Sequence, residues 1–318
     1  MNWTQRTRLL SLIFIVTEVN SGTITAWAKA SHASKASSPC EPCAQKLLRE
    51  AQRKYGVPPV SAREDRVWHA IPGLNGWTLE EKQSQELTEK LKDGKTHLVW
   101  SATKPQVSLK SLLPSPVYRG PSDEKSIALM VNVSWGEQYL PSMLETFKKE
   151  HVRATFFLDG AWVKKNPQLA RKIVGFGHAI GSHGTGHPDF HLLTTGQVER
   201  QMTKTESLIK DATGKVPVAF APPSGSYDDR TVTVAYQHHL PTILWTVDTV
   251  DWRKPSAETI VSRVVKGITP GALVLMHPTE HTAEALPTLI EALQKKGYRF
   301  KTITDVIGER RVLPPTVL

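Results

Sequence analysis

The stretch GHAIGSHGTGHP, at residues 177–188 of this 318-residue chain, is the most informative one about its fold. It begins with a short apolar run and contains two histidines four residues apart, His183 and His187. The glycines between them disfavour a regular helix and permit a tight loop. Two imidazoles placed in this way after a strand can converge on one metal ion, although two surface histidines are the commoner explanation of an isolated pair. We interpret the stretch as a strand followed by a candidate metal-binding loop.

Apolar segments alternate with amphipathic segments on both sides of this loop. The pattern predicts strands at 127–133, 154–158, 218–220, 242–247 and 272–276, and helices at 141–150, 167–175, 196–212, 228–237, 256–266 and 282–296. Apolar strands separated by helices are typical of a parallel sheet or barrel that is covered on both faces. In such folds the chemistry lies at the carboxyl ends of the strands.

Polar and aromatic residues follow several of these predicted strands. They are Asn132, Ser134 and Trp135 after the first, Pro222 after a later one, Asp248 and Asp251 in VDTVDW at 247–252, and His277 after the last long strand. Because the carboxyl ends of parallel strands meet at one edge, we expect these residues to lie near the two histidines.

The N-terminal part of the chain has a different character. Residues 1–30 combine a basic start, a short apolar run and a small-residue end, which predicts a secretory signal peptide or membrane anchor. Residues 31–43 read as a linker that ends in a Cys40–Cys43 pair, able to close a small disulfide in an exported chain. We predict a small α+β module at 44–120, the main α/β domain at 121–310 and a tail at 311–318.

Charge limits the classes of partner. The formal net charge is +10, which favours nucleic acid, a membrane surface or an anionic cell wall. The signal-like N-terminus argues against nucleic acid and favours an exported protein associated with the anionic cell envelope.

The order and spacing of the motifs resemble carbohydrate esterase family 4, the polysaccharide deacetylases. The family's H-S/T-x-x-H motif is matched by HGTGH at 183–187, its D-x-x-D-W motif by DTVDW at 248–252 and its late L-x-H motif by LMH at 275–277. The resemblance covers residues 125 to 305. Within the family, the chain resembles more specifically the sporulation-associated YlxY-like subfamily. It implies a distorted (β/α) barrel of the polysaccharide deacetylase type, with His183 and His187 as metal ligands.

Three departures from the family pattern fall on its catalytic positions. Ser134 and Trp135 stand where the family has a basic aspartate and a metal-binding aspartate, and Ala221 stands where it has an arginine. A serine hydroxyl is a very weak base near neutral pH, and an indole has no acceptor with which to bind a metal. A catalytic zinc usually has three protein ligands and a water. We therefore expect binding of Zn²⁺ or another divalent metal to be weakened or absent.

The remaining positions take roles that the resemblance implies. His277 occupies the general-acid position, and we expect Asp248 to set its protonation and orientation. Trp252, Pro222 and Leu275 are expected to contact substrate, and Trp135 to stack on a sugar ring.

Three functional hypotheses follow. The first is a protein that binds N-acetylglucosamine-containing glycan such as peptidoglycan, with an impaired catalytic site. The second is an active metal-dependent N-deacetylase in which Glu137, Asp159 or Asp189 replaces the missing base. The third is a scaffold or partner-binding protein of the envelope that acts through residues 44–118.

Overall fold

The computed structural model describes residues 23–24, 41–112 and 114–318. Except for the short strand at Thr23–Ile24, the predicted signal peptide or anchor lies outside the described residues, as do Cys40 and most of the predicted linker. In the part of the chain that is described, no helix is both long enough and apolar enough to span a bilayer.

Short elements make up the first hundred residues. In the described ranges they are β1 (Thr23–Ile24), α1 (Glu41–Tyr55), β2 (Arg63–Asp65), β3 (His69–Ile71), β4 (Gly76–Leu79), α2 (Glu81–Leu91) and β5 (Trp100–Thr103). Thr78 lies in β4, where it is exposed between the buried side chains of Trp77 and Leu79, and Glu80 occupies the N-cap position of α2 without a side-chain capping hydrogen bond.

Two compact units divide the chain, and both draw on separate stretches of it. The first contains the described residues up to Gly56 together with Trp77–Ala102 and Pro314–Leu318. Its sheet has the order β1-β5-β4. The indole of Trp100, 1% exposed, donates to the carbonyl of Pro315 at 2.9 Å, so part of the predicted C-terminal tail is fixed in this unit.

The second unit contains Val57–Gly76 and Thr103–Leu313. Hairpin β2–β3 belongs to it because His69 forms a bridge to Val117, and the N–H of Gly73 donates to Glu309. We expected consecutive domains that meet at residue 120. In the structure, residues 57–76 group in one compact unit with Thr103–Leu313.

Strands and helices alternate through the rest of the second unit. They are β6 (Ser126–Val133), α3 (Leu140–Lys149), β7 (Thr155–Leu158), α4 (Gly160–Lys165), α5 (Pro167–Gly175), β8 (Ala179–Ser182), α6 (Thr195–Thr213), α7 (Asp229–Gln237), β9 (Val247–Asp248), α8 (Ala257–Gly267), β10 (Leu273–Met276), α9 (Glu280–Lys295), β11 (Arg299–Lys301) and α10 (Ile303–Ile307). The sheet has the order β8-β7-β6-β10-β9, and all of its pairs are parallel. β11 pairs with the beginning of β6.

Irregular backbone closes the sheet into the predicted distorted barrel. Phe220 forms parallel bridges to Ser182 of β8 and to Thr242, and the chain that follows Thr242 reaches β9. The strands predicted at 218–220 and 242–247 are therefore present only as isolated bridges and the two residues of β9. Prolines explain the interruption, because Pro217, Pro222 and Pro241 cannot donate to a ladder.

β6 shows how the barrel separates its two faces. All eight of its residues are buried. Ile127, Leu129, Val131 and Val133 pack in the cluster that includes the covering helices, whereas Ala128 and Met130 pack in a second cluster. That second cluster, with Ala219, Ala221, Ile243, Leu273 and Leu275, is the barrel interior. Since strand side chains alternate, Asn132 and Ser134 continue the interior series toward the carboxyl mouth.

Candidate functional site

A cavity of about 450 Å³ lies at the carboxyl mouth of the barrel. It is lined by Asn132, Ser134, Trp135, His183, His187, Ser224, Trp245, Asp248, Trp252, Leu275 and His277. The structure therefore brings together most of the site residues expected from the sequence. Pro222 is buried and does not line the cavity, and Ser224 lines it in its place.

His183 leaves the end of β8 and is almost fully buried. Its Nδ1 lies 2.7 Å from the carbonyl oxygen of Ala221. Because a carbonyl only accepts, this ring nitrogen carries the proton and Nε2 keeps a lone pair. Burial lowers the pKa of His183 to about 3. The imidazole is therefore neutral and held in one tautomer at physiological pH.

His187 is exposed and has a left-handed backbone, with φ of 54°. Its ring centroid lies 5.4 Å from that of His183. The backbone N–H groups of Gly186 and His187 donate to one carboxylate oxygen of Asp159 at 2.8 and 2.9 Å. The geometry of the loop is thus imposed by a buried carboxylate.

Asp159, one of the three candidate carboxylates, is bound by backbone N–H groups on both of its oxygens. Its other oxygen accepts from the N–H groups of Ala161 and Trp162 at 2.7 and 3.1 Å and caps α4. A carboxylate that accepts four backbone hydrogen bonds and is 2% exposed supports the fold. Asp159 therefore positions the loop that carries His187, and it lines the neighbouring cavity of about 510 Å³ rather than the one that both histidines line.

The turn Ser134–Gly136 follows β6 and carries the two departures from the family pattern. Gly136 has φ of 80°, and a Cβ there would lie 1.9 Å from the carbonyl oxygen of Pro278. This close approach places the Trp135 ring parallel to that of His277, with centroids 5.9 Å apart and planes 9° apart. Trp135 is 45% exposed. The position of the missing aspartate is therefore filled by an indole stacked on the candidate general acid.

Two polar groups near this turn have no partner. Asn132 Oδ1 and Ser134 Oγ are buried and form no hydrogen bond within the described part of the chain. Buried polar groups are normally satisfied, so an unpartnered pair beside a cavity marks a place where a ligand or water is received.

His277 is oriented by Asp251 and not by Asp248. The Nδ1 of His277 lies 2.8 Å from one Asp251 oxygen, and the other oxygen accepts from the His277 N–H and the Thr282 hydroxyl, both at 2.6 Å. Burial raises the pKa of Asp251, but the hydrogen bonds from His277 and Thr282 outweigh it and hold this pKa below its ordinary value. Asp251 therefore remains an anion beside His277.

Asp248 has a different task from the one we predicted. It lines the cavity, and one of its oxygens accepts from the N–H of Val250 at 2.7 Å. Val250 is left-handed, with φ of 55°, so Asp248 fixes the turn that presents Asp251 and Trp252. The D-x-x-D-W motif predicts that both Asp248 and Asp251 lie at the site, but it does not indicate which of them contacts His277.

Three aromatic or apolar residues complete the wall. Trp252 is 52% exposed at the rim, Leu275 is buried in the barrel interior, and Trp245 is half-buried between that interior and the cavity. A Cβ on Gly225 would lie 2.7 Å from the Trp245 ring, so the turn at Ser224–Gly225 holds Trp245 against the cavity.

The donor set does not fit a catalytic metal. Among the described residues, no group of three or more His, Cys, Asp or Glu side chains could hold an ion. Glu137 is exposed and lines a neighbouring cavity of about 510 Å³ that also contacts His187. Asp189 is exposed and accepts from the Ser226 hydroxyl and the His191 N–H. None of the three candidate carboxylates joins the histidine pair in a ligand cluster.

The arginine position is closed by the barrel interior. Ala221 is fully buried among apolar side chains, and its carbonyl is the partner of His183. The cavity therefore has no guanidinium that would orient a basic carboxylate.

Comparison with known proteins agrees with this geometry. The family model described as polysaccharide deacetylase matches residues 119–243. The chain is 43% identical to the uncharacterized protein YlxY of Bacillus subtilis over 274 residues, which is 86% of either chain. It is 37% identical to the peptidoglycan-N-acetylglucosamine deacetylase PgdA of Listeria monocytogenes, over 58% of this chain and 40% of that protein.

Among solved structures, a pseudoenzyme of carbohydrate esterase family 4 from Bacillus anthracis is 40% identical, with a TM-score of 0.75 over 84% of this chain and 95% of that one. A mutant of the same pseudoenzyme, described as having restored enzymatic activity, matches with the same identity and TM-score. The fold, the motif order and these relatives agree, and the chain belongs to the polysaccharide deacetylase family, carbohydrate esterase family 4.

Proposed function

We propose that this chain binds N-acetylglucosamine-containing glycan of the cell wall, such as peptidoglycan, at the mouth of its barrel and hydrolyses it slowly or not at all. The observation that carries the proposal is the Ser134–Gly136 turn, in which the two aspartate positions of the family hold a hydroxyl and an indole stacked on His277. The cavity is kept, and the groups that would activate water are replaced.

Loss of catalysis follows from three replacements that act together. Ser134 cannot take a proton from water near neutral pH. Trp135 offers no ligand and occupies the space beside His277. Ala221 leaves no cation that could orient a base. A general base contributes about 10²–10⁴-fold to a rate, so its absence alone reduces turnover by that order.

The capacity to bind sugar is supported by the walls of the cavity. Trp135 and Trp252 expose 45% and 52% of their surface, and exposed indoles stack on the apolar faces of pyranose rings. Asn132 and Ser134 offer unpartnered polar atoms for hydroxyl or amide groups. Relatives that bear the names of peptidoglycan deacetylases act on the same class of polymer.

An envelope location also belongs to the proposal. The net charge of +10 favours an anionic wall, and the N-terminal pattern is that of an exported or membrane-anchored protein. An association with sporulation rests on the resemblance to the YlxY-like subfamily.

Two assays on one preparation test the proposal. Acetate release from N-acetyl-chito-oligomers, with divalent metal added, is expected to stay at background, while the chain co-sediments with purified peptidoglycan. Trp252→Ala is expected to weaken co-sedimentation about tenfold, the scale of losing one stacked aromatic anchor. The control Tyr236→Ala removes an exposed ring from α7 and is expected to change nothing. Robust turnover that His277→Ala abolishes would sink the proposal.

A further inference from the structure

The charge of the cavity differs from that of a metal site. Of its eleven lining residues, Asp248 is the only carboxylate, and no lysine or arginine is among them. One of its oxygens accepts from the Val250 N–H, and none of the described basic side chains forms an ion pair with it. A single uncompensated carboxylate makes the cavity attractive to a cation.

Fixed hydrogen-bond acceptors lie deeper in the cavity. The Nδ1–H of His183 is committed to the carbonyl of Ala221, so its Nε2 is an acceptor. Asn132, 3% exposed, contributes an Oδ1 atom without a partner. Together with Asp248, these residues place three acceptors on the lining, and they call for a ligand group rich in donors.

The aromatic wall has the same preference. Trp135, Trp245 and Trp252 line the cavity, and indole faces attract cations. One face of the Trp252 ring is already taken by a guanidinium, because the Arg253 carbon between its nitrogens lies 4.6 Å from the ring centroid, so Trp135 and Trp245 are the indoles left for an added cation. The wall therefore suits an ammonium group as well as a sugar face.

An N-acetyl group is a poorer match for this lining. Its carbonyl oxygen can accept from the unpartnered Ser134 hydroxyl, but the group is neutral and cannot pair with Asp248. Its nitrogen offers one N–H, whereas an ammonium offers three donors and a positive charge. Acceptors that the acetyl group leaves unpaired in a buried site carry the cost of their desolvation.

We infer that the sugar residue held in this cavity is a de-N-acetylated one, a glucosamine with a free and protonated amine, within a glycan that also contains N-acetylated residues. The ammonium lies against Asp248, Asn132 Oδ1 and His183 Nε2, and the indoles cover the ring. The inference rests on the proposed function and deepens it, because the chain then binds the product of deacetylation.

Calorimetric titration of the full chain with two ligands tests this inference. Fully deacetylated and fully N-acetylated chito-hexaose are compared at pH 6 in EDTA, which excludes a bridging metal. The free-amine oligomer is expected to bind at least about tenfold more tightly, the scale of one charge-assisted hydrogen bond with a cation–π contact.

Two variants show which side chains cause the preference for the free-amine oligomer. Asp248→Asn is expected to remove most of this preference. Asn132→Leu is expected to reduce it and provides a second test if Asp248→Asn fails to fold. The control Asp211→Asn changes an exposed carboxylate of α6 and is expected to leave it intact. Equal or tighter binding of the N-acetylated oligomer would overturn the inference and leave the proposed function standing. Binding of neither oligomer would remove the proposed function itself, and a preference that survives both cavity variants would place the amine elsewhere.

Discussion

The histidine loop, His183–His187, and the Trp135 turn, Ser134–Gly136, border the same cavity and differ in how their polar groups are satisfied. In the histidine loop, the backbone N–H groups of Gly186 and His187 donate to Asp159, and the Nδ1–H of His183 donates to the carbonyl of Ala221. In the Trp135 turn, the Ser134 hydroxyl has no partner in the described structure, and an indole stands half-exposed in the cavity.

This difference separates the frame of the site from its chemistry. The polar groups of the frame have their hydrogen-bond partners within the fold, chiefly the buried Asp159 and the carbonyl of Ala221, so removing these partners should cost stability. In the Trp135 turn, the Ser134 hydroxyl and the exposed indole have no hydrogen-bond partner within the described part of the fold and are available to a ligand. Replacing these two side chains should therefore change ligand binding or activity and lower the stability of the fold only slightly. On the proposed function, a deacetylase frame persists here although a serine and a tryptophan occupy the positions of the base and of the third metal ligand.

The largest expected effect comes from replacing the chemistry on the intact frame. The combined change Ser134→Asp, Trp135→Asp and Ala221→Arg is expected to raise acetate release from N-acetyl-chito-oligomers by about 10²–10⁴-fold with added metal, the contribution of a general base. The matched control places Asn instead of Asp at both positions and should stay inactive. A folded triple variant with no gain would show that the frame is also impaired.

Removing the support of the histidine loop is expected to destabilise the protein next most strongly. Asp159→Ala leaves four backbone N–H groups without their acceptor and should lower the free energy of unfolding by about 3–5 kcal/mol. Urea denaturation followed by fluorescence measures it. Asp189→Ala, an exposed carboxylate, and Ser134→Ala should each cost less than about 1 kcal/mol. Similar losses for all three would erase the contrast between the two regions.

A buried imidazole at the start of the segment that leads to the histidine loop predicts acid sensitivity. His178 packs between Phe147 and Phe156 and accepts from the Ala154 N–H. Burial lowers its pKa to about 4 from the ordinary 6.5. The unfolded chain takes up a proton below about pH 6.5 and the folded chain does not, so stability falls as the pH decreases from 6.5 to 4.

The loss from His178 is about 3 kcal/mol by pH 4, from about 1.4 kcal/mol per unit of pKa difference. His178→Gln should make this part of the stability profile less steep, measured by urea denaturation at several pH values, while the contribution of the buried His183 remains. His191→Gln, on an exposed histidine, should leave the profile unchanged. A profile of His178→Gln that still falls as steeply would assign the acid sensitivity to other groups.

The smallest of these effects concerns the His277 side of the cavity. Asp251→Asn keeps the shape of the side chain but removes the anion that accepts hydrogen bonds from His277 and Thr282. It should lower the free energy of unfolding by about 1–2 kcal/mol. It should also change the ¹⁵N chemical shifts of the His277 ring. Asp248→Asn is the control, because Asp248 does not contact that ring in the structure, and it should leave those shifts in place.

Much of the fold could be predicted from the sequence because apolar runs and helical spacing are local signals. β6, β10, α5 and α6 lie within a residue or two of their predicted bounds. Hairpin β2–β3 could not be assigned to its unit, since its partners, Val117 and Glu309, are distant in the chain. The strands at 218–220 and 242–247 were weakened by prolines that the apolar pattern conceals.

The site was predicted in its members and less well in its roles. Motif spacing placed His183, His187, Trp135 and His277 together, and the structure confirms that they line one cavity. It assigned the partner of His277 to Asp248, whereas Asp251 points to the ring. Spacing gives order along the chain, but the left-handed residue Val250 decides which carboxylate turns inward.

Zinc titration of the metal-stripped chain beside its Trp135→Asp variant shows whether the frame lacks its third metal ligand. We expect weak binding by the parent and binding at least about 10–100-fold tighter by Trp135→Asp, the range over which ligand-shell changes alter metal affinity. Tight, equimolar binding by the parent that Trp135→Asp leaves unchanged and His183→Ala abolishes would contradict this expectation.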